Sequence, residues 1–188
     1  METIKIEDLK KVGGATEKAT PTIQVKAKTP SEVFLSECDE HEAEIFEQLK
    51  GILINQCEKY EFEAVTKDNL EDFAEIITYV KNGIFKIESD GVLVKLRKQI
   101  TGPDGIILTD TVKILYERNE AREKTFTAGI TVSKKSIESQ KDFTLATLAA
   151  SFANIDNKII SVDTVRKIQK TNHRDYMLLL SCFNFFRN

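Results

Sequence analysis

The chain has 188 residues, 41% of them apolar and 30% charged, enough for one domain with a sizeable core and too apolar for disorder along its whole length. Its 27 basic and 30 acidic side chains leave a formal net charge of −3, which argues against a strong basic footprint for nucleic acid and against a cationic membrane face. No apolar run approaches the roughly 20 residues that span a bilayer, and the charged opening Met1-Glu2-Thr3-Ile4-Lys5-Ile6-Glu7-Asp8 lacks the apolar stretch of a secretory signal, so a cytoplasmic protein is the expectation.

Residues 1–30 differ from the rest. Gly13-Gly14, the polar run to Pro21 and Thr29-Pro30 mark an N-terminal arm. Within it, Ile23-Gln24-Val25-Lys26-Ala27 alternates like a short strand. Either the arm is a flexible tail, or it orders on a partner with Ile23 and Val25 added to a sheet edge.

The remainder, 31–188, reads as a single α+β domain. Over 31–83 the period is helical. Ile45, Phe46, Leu49, Ile52, Leu53, Cys57 and Tyr60 recur at steps of three and four, forming one apolar stripe. A second helix carries Leu70, Phe73, Ala74, Ile77 and Val80, with Asp68 and Glu71 spaced as a reciprocal cap. Gly83 suits the left-handed position that ends a helix. The two helices form an N-terminal helical hairpin.

Over 84–117 the period drops to two, predicting a small antiparallel β-meander. Ile84–Glu88 leads into Asp90-Gly91, a tight-turn dipeptide. Val92, Val94 and Leu96 share one face of the next strand, and Thr111–Tyr116 returns as a third, rich in β-branched residues. Three short strands need helices over one face. Over 118–188 the chain is mainly helical. Phe143, Leu145, Leu148, Ala149 and Phe152 make one stripe, and Ser161 caps a helix bearing Val162, Val165 and Ile168. Asn172 or Thr171 caps the last helix, with Asp175 placed favourably for the helix dipole. That helix is dense in apolar residues from Tyr176 to Phe186. Phe183 falls on the stripe of Tyr176, Leu179 and Leu180 and is expected in the core, whereas Phe185 and Phe186 are expected to dock on a partner.

The chemistry search finds no phosphate-binding glycine loop, no nucleophile elbow and no paired metal-ligand spacing. Cys38, Cys57 and Cys182 are odd in number and widely spaced, and are expected as buried small hydrophobes in a reducing compartment. An enzyme would need a pocket gathering Cys38, His41 and nearby acids, or His173 with Asp175. The basic clusters are Lys134-Lys135 and Arg166-Lys167 with Lys170 and Arg174, without interleaved aromatics, so nucleic acid is a weak expectation. No catalytic, cofactor or metal residues are assigned.

Two features carry a resemblance. The hairpin strands Val92–Ile100 and Thr111–Glu117, followed by a charged stretch and an ending of Asp175, Leu179 and Phe183 or Phe186, resemble the tail assembly chaperones of long-tailed bacteriophages. The helices Ile45–Tyr60 and Asp68–Val80 ahead of them are similar to the helical region of phage baseplate hub and hub-assembly proteins. The resemblance runs over residues 45–186. The chain departs from the chaperones in its long N-terminal half, and it lacks the Cys-x-x-Cys pairs of some hub-type relatives. The resemblance implies a non-catalytic, protein-binding role in building a phage tail, baseplate or tail-like machine, as chaperone or as structural hub or adaptor. Its partners would be tail or baseplate proteins such as a tape measure or hub, met in the host cytoplasm or in the virion tail. A small intracellular enzyme or a nucleic-acid-binding accessory protein is the alternative.

Overall fold

The computed structural model describes residues 27–57, 63–101, 107–131, 136–156, 158 and 160–187. Two reciprocal caps start its helical part. The Thr29 hydroxyl accepts from the Glu32 amide at 3.2 Å, while the Glu32 carboxylate accepts from the Thr29 amide at 2.7 Å. With Pro30 in the first turn, this opens α1 (Pro30–Leu35). Asp39 and Glu42 repeat the device at 2.8 and 3.0 Å, at the start of α2 (Glu40–Cys57). The Lys81 ammonium, at the end of α3 (Leu70–Lys81), meets both carboxylates at 2.8 Å. One cation thus pins the end of the second helix to the start of the first, closing the expected helical hairpin.

The expected cap of α3 is corrected. Asp68 lies in a 3-10 turn over Lys67–Asn69, and the Asn69 side chain does the closing. Asn69 Oδ1 accepts from the Thr66 amide at 2.9 Å, and its Nδ2 donates to the Ala64 carbonyl at 3.1 Å. At the other end Gly83 has φ +67°. Its amide donates to the Val80 carbonyl at 3.0 Å, and the Ile84 amide reaches the Tyr79 carbonyl at 2.9 Å, the paired bonds of a Schellman ending.

The sheet is β1 (Phe85–Ile87), β2 (Gly91–Thr101), β3 (Ile107–Leu115) and β4 (Phe152–Ala153), antiparallel throughout and in chain order. The meander has four strands where the sequence suggested three. Phe152 was assigned to a helical stripe, but α5 (Ile137–Ala150) stops before it, and Phe152 pairs with Ile114 across the sheet. Phe143, from the same supposed stripe, is exposed. The first hairpin also turns one residue earlier than Asp90-Gly91 suggests. The Glu88 amide donates to the Gly91 carbonyl at 2.9 Å, so Ser89-Asp90 is the loop and Gly91 already belongs to β2. Gly91 is needed for closeness, because a Cβ there would stand 2.4 Å from the Ile114 carbonyl oxygen.

One sheet face turns inward. Phe85, Val92, Val94, Val112, Ile114 and Phe152 join Phe46, Phe73, Leu179 and Phe186 in a core cluster that runs from Ile45 to Phe186. On the opposite face Lys86, Leu93 and Lys113 lie in one row. Lys113 is only 5% exposed, and its ammonium is held by Asp90 at 2.6 Å and Glu88 at 3.7 Å. The charged stretch after β3 resolves into α4 (Glu120–Thr127), capped by Asn119. There the buried Glu123 takes a double hydrogen bond from Arg118, at 2.5 and 2.9 Å. α6 (Val162–Thr171) starts at Ser161, whose hydroxyl accepts from the Thr164 amide at 3.2 Å, as expected. α7 (His173–Arg187) packs across β2 and β3.

Aromatic rings link the two ends of this sequence. Phe34 of α1, Phe46 of α2, Phe73 of α3, then Phe185 and Phe186 of α7 and finally Tyr116 after β3 follow one another at centroid distances of 4.9–5.1 Å. Edge-to-face and tilted pairs at such spacing add to the burial of the rings.

Candidate interaction surface

The pairing of β2 with β3 is regular from Gly91 to Lys95 and then breaks. Lys95 lies opposite Thr111, yet Ile100 lies opposite Thr109, so β2 advances five residues while β3 advances two. Such a bulge takes backbone amides off the ladder, and they must find acceptors elsewhere. Asp175 supplies them. Its carboxylate is fully buried and accepts from the Arg97 amide at 3.0 and 3.2 Å and the Lys98 amide at 3.3 Å. Asn172 donates its side-chain amide to the same carboxylate. Asp175 was read as a dipole partner and Asn172 as a cap. The structure turns both inward, onto a strand more than 70 residues earlier in the chain. No sequence signal marks this, because an Asp in a first helical turn looks the same whether it faces water or a bulge.

The consequence is on the outside. Arg97, Lys98 and Gln99 are three consecutive exposed residues in a strand that otherwise alternates. Lys167 stands alongside, its ammonium 2.9 Å from the Thr101 hydroxyl and 3.1 Å from the Thr101 carbonyl. A shallow cleft of about 70 Å³ runs between β2 and the α6–α7 junction, with Lys98 and Lys167 on its walls and Thr164, Thr171 and Asp175 also lining it. Lys170 follows Lys167 by three residues, on the same flank of α6. Arg174 is exposed immediately before Asp175. Among the described residues, Lys98, Lys167, Lys170 and Arg174 form no ion pair with a carboxylate. Arg166, from the cluster noted in the sequence, is spoken for by Asp163 at 2.6 Å and Asp142 at 3.2 Å.

The expected docking residues lie elsewhere or are occupied. Ile23 and Val25, with the arm up to residue 26, fall outside the described residues. Phe186 is 2% exposed and packs on Tyr116 at 5.1 Å. Phe185 is half-buried, edge-on to Phe73 at 4.9 Å. Phe183, assigned to the core, is only partly buried, 6.5 Å from Phe152. Phe186 is thus a core residue, while Phe183 and Phe185 are alike partly buried. The buried positions Asp175, Tyr176, Leu179, Cys182 and Phe186 keep Tyr176 and Leu179 of the expected stripe and continue through Cys182 and Phe186 in place of Leu180 and Phe183.

Of the residues weighed for chemistry, Asp175 lines this cleft, whereas Cys38, His41 and His173 do not. His41 is exposed and lies 3.8 Å from Glu44. Cys38 is half-buried, and partial burial with Glu42, Asp39 and Glu37 nearby pushes its thiol up, opposite to what activates a nucleophile. Burial alone pushes Cys182 up further. His173 is exposed, with its ring stacked 6.3 Å from Tyr176, and the Asp175 oxygens are turned to the bulge. Among the described residues no group of three or more His, Cys, Asp or Glu side chains is placed to hold a metal ion, and no helix is long and apolar enough to cross a membrane. Compared with known protein families, with curated proteins and with solved structures, the chain matches none.

Proposed function

We propose that the chain works by binding another protein, without catalysis, in the assembly of a phage tail, baseplate or tail-like machine. The observation that carries the binding mode is the bulge at Arg97–Gln99. A fully buried carboxylate is committed to holding it, and bulges held in this way re-aim side chains. The product is a row of outward polar side chains on a braced strand, suited to recognising a partner. The phage setting is supported by the resemblance of the β2–β3 hairpin and the C-terminal ending to tail assembly chaperones. The role is that of a transient chaperone or of a hub or adaptor that stays in the particle.

The test is co-expression of the tagged chain with phage tail-tube, tape-measure and baseplate proteins. Co-purification with one of them at a fixed ratio is the expected result. Turnover of a small substrate by the purified chain, or no complex with any tail protein, would sink the reading. The unpaired lysines near the bulge favour a second reading, a nucleic-acid accessory protein, which predicts salt-sensitive retention of an oligonucleotide instead.

A further inference from the structure

We infer that the cleft between β2 and the α6–α7 junction receives a carboxylate-rich segment of the protein partner, an inference that rests on the protein-binding reading and gives it a chemistry. The cations come from three separate elements. Lys98 is set by the bulge, Lys167 and Lys170 by α6, and Arg174 by the first turn of α7. The chain as a whole is slightly negative, whereas Lys98 and Lys167 line the cleft with no ion pair among the described residues and Lys170 and Arg174 are exposed on the helices beside it. Asp175, which also lines the cleft, is fully buried, and three donors share its charge. Asp175 therefore acts inward as the brace of the site, while the lysines act outward.

The lining decides between acidic protein and nucleic acid. Thr101, Thr164 and Thr171 bring hydroxyls to the cleft, and Leu96, Ile100 and Ile168 give it a small apolar floor. The Thr171 hydroxyl is committed to the Lys167 carbonyl at 2.7 Å, so the ammonium groups are what suits carboxylates, and the floor suits the methylenes of glutamate. Among the described residues no aromatic ring lines the cleft to stack a base.

The probe is a fluorescein-labelled peptide of alternating Glu and Ser, followed by anisotropy against the full chain, with an unlabelled single-stranded oligonucleotide as competitor. Binding is expected to weaken about tenfold between low and physiological salt, as exposed charges are screened. The double variant Lys98→Glu, Lys167→Glu should lose about tenfold or more in affinity. Because Lys167 also ties down Thr101, Lys170→Glu with Arg174→Glu serves as the second variant, and near-ultraviolet circular dichroism checks that both remain folded. Peptide affinity unchanged in both folded variants would overturn the proposal. So would an oligonucleotide that displaces the peptide at lower concentration than unlabelled peptide does, or salt-sensitive self-association without peptide, which would make a second copy the occupant. If a tail-protein complex forms at full strength with the charge-reversed chains, the cleft inference fails alone. If no tail protein binds the parent chain yet the acidic peptide does, the failure belongs to the phage setting.

Discussion

Removing the Asp175 carboxylate leaves the Arg97 and Lys98 amides without their acceptor, and an amide stranded away from water costs about 1–3 kcal/mol. Asp175→Ala is therefore expected to lower folding stability by about 2–4 kcal/mol, read from urea midpoints. Asp175→Asn should fall between, since one of its two acceptor oxygens becomes a donor. Midpoints equal to the parent for both would show that water replaces the carboxylate. At the end of α7, burial ranks the phenylalanines. Phe186→Ala should cost about 3–5 kcal/mol, as for a ring wholly inside. Phe185→Ala should cost less, because part of that ring meets solvent already. A larger loss at Phe185 would mean that the Phe73 contact, not burial, governs this end of the core. The sequence places Phe186 on a docking face instead, and terminal turns do fray unless something holds them. What prevents fraying here is the run of rings from Phe34 to Tyr116, which is made of contacts between distant residues.

Elements with a long period were legible. The stripe of Ile45, Phe46, Leu49 and Leu53 and the alternation of Val92, Val94 and Leu96 are repeated often enough to fix the helix and strand they belong to. Two-residue β4 carries no period at all, and its pairing with β3 depends on where α5 happens to stop. The bulge was equally silent, since its register is set by an acceptor on another element. Glycines mark two places where an element's geometry is tight. Gly91→Ala would drive a methyl into the Ile114 carbonyl, so β2 and β3 must part, at a cost of about 1–3 kcal/mol. Gly83→Ala meets no atoms but puts a side chain at φ +67°, at about 1–2 kcal/mol. Thermal melts of the two variants should therefore both shift down, with Gly91→Ala also altering amide exchange along β3. Unchanged exchange there would place the strain elsewhere.

For the molecule as a whole, charge sets the response to pH. Lys81 holds Asp39 and Glu42 below the ordinary carboxylate range, Lys86 does so for Glu88, and the Arg118 hydrogen bonds do so for Glu123. Each carboxylate binds its proton less readily folded than unfolded. Its stabilisation is present above the unfolded value near 4 and is lost as pH falls through the folded one. Stability should be flat from about pH 7 to about pH 5 and decline below that. Glu123→Gln should remove part of the acid slope even in high salt, because its carboxylate is buried, whereas the exposed pairs are screened. An acid slope identical in parent and variant would exclude Glu123 as a contributor. At the alkaline end, burial holds the Tyr116 phenol above its ordinary value. That contribution is intact below about pH 10 and lost as pH rises beyond it.

The brace between Arg97 and Asp175 also orders events in time. It joins residues 78 apart, and closing a loop of that length costs roughly 4 kcal/mol of chain entropy. The β2–β3 hairpin, whose partners are near neighbours in sequence, faces no such barrier. The hairpin should therefore zip first and the bulge lock last, on the native side of the folding barrier. Asp175→Ala should then steepen the loss of native protein by speeding unfolding, and leave refolding nearly as fast as in the parent. In stopped-flow urea jumps the unfolding limb would rise while the refolding limb stays in place. A slowed refolding limb would instead put this long-range contact inside the folding nucleus.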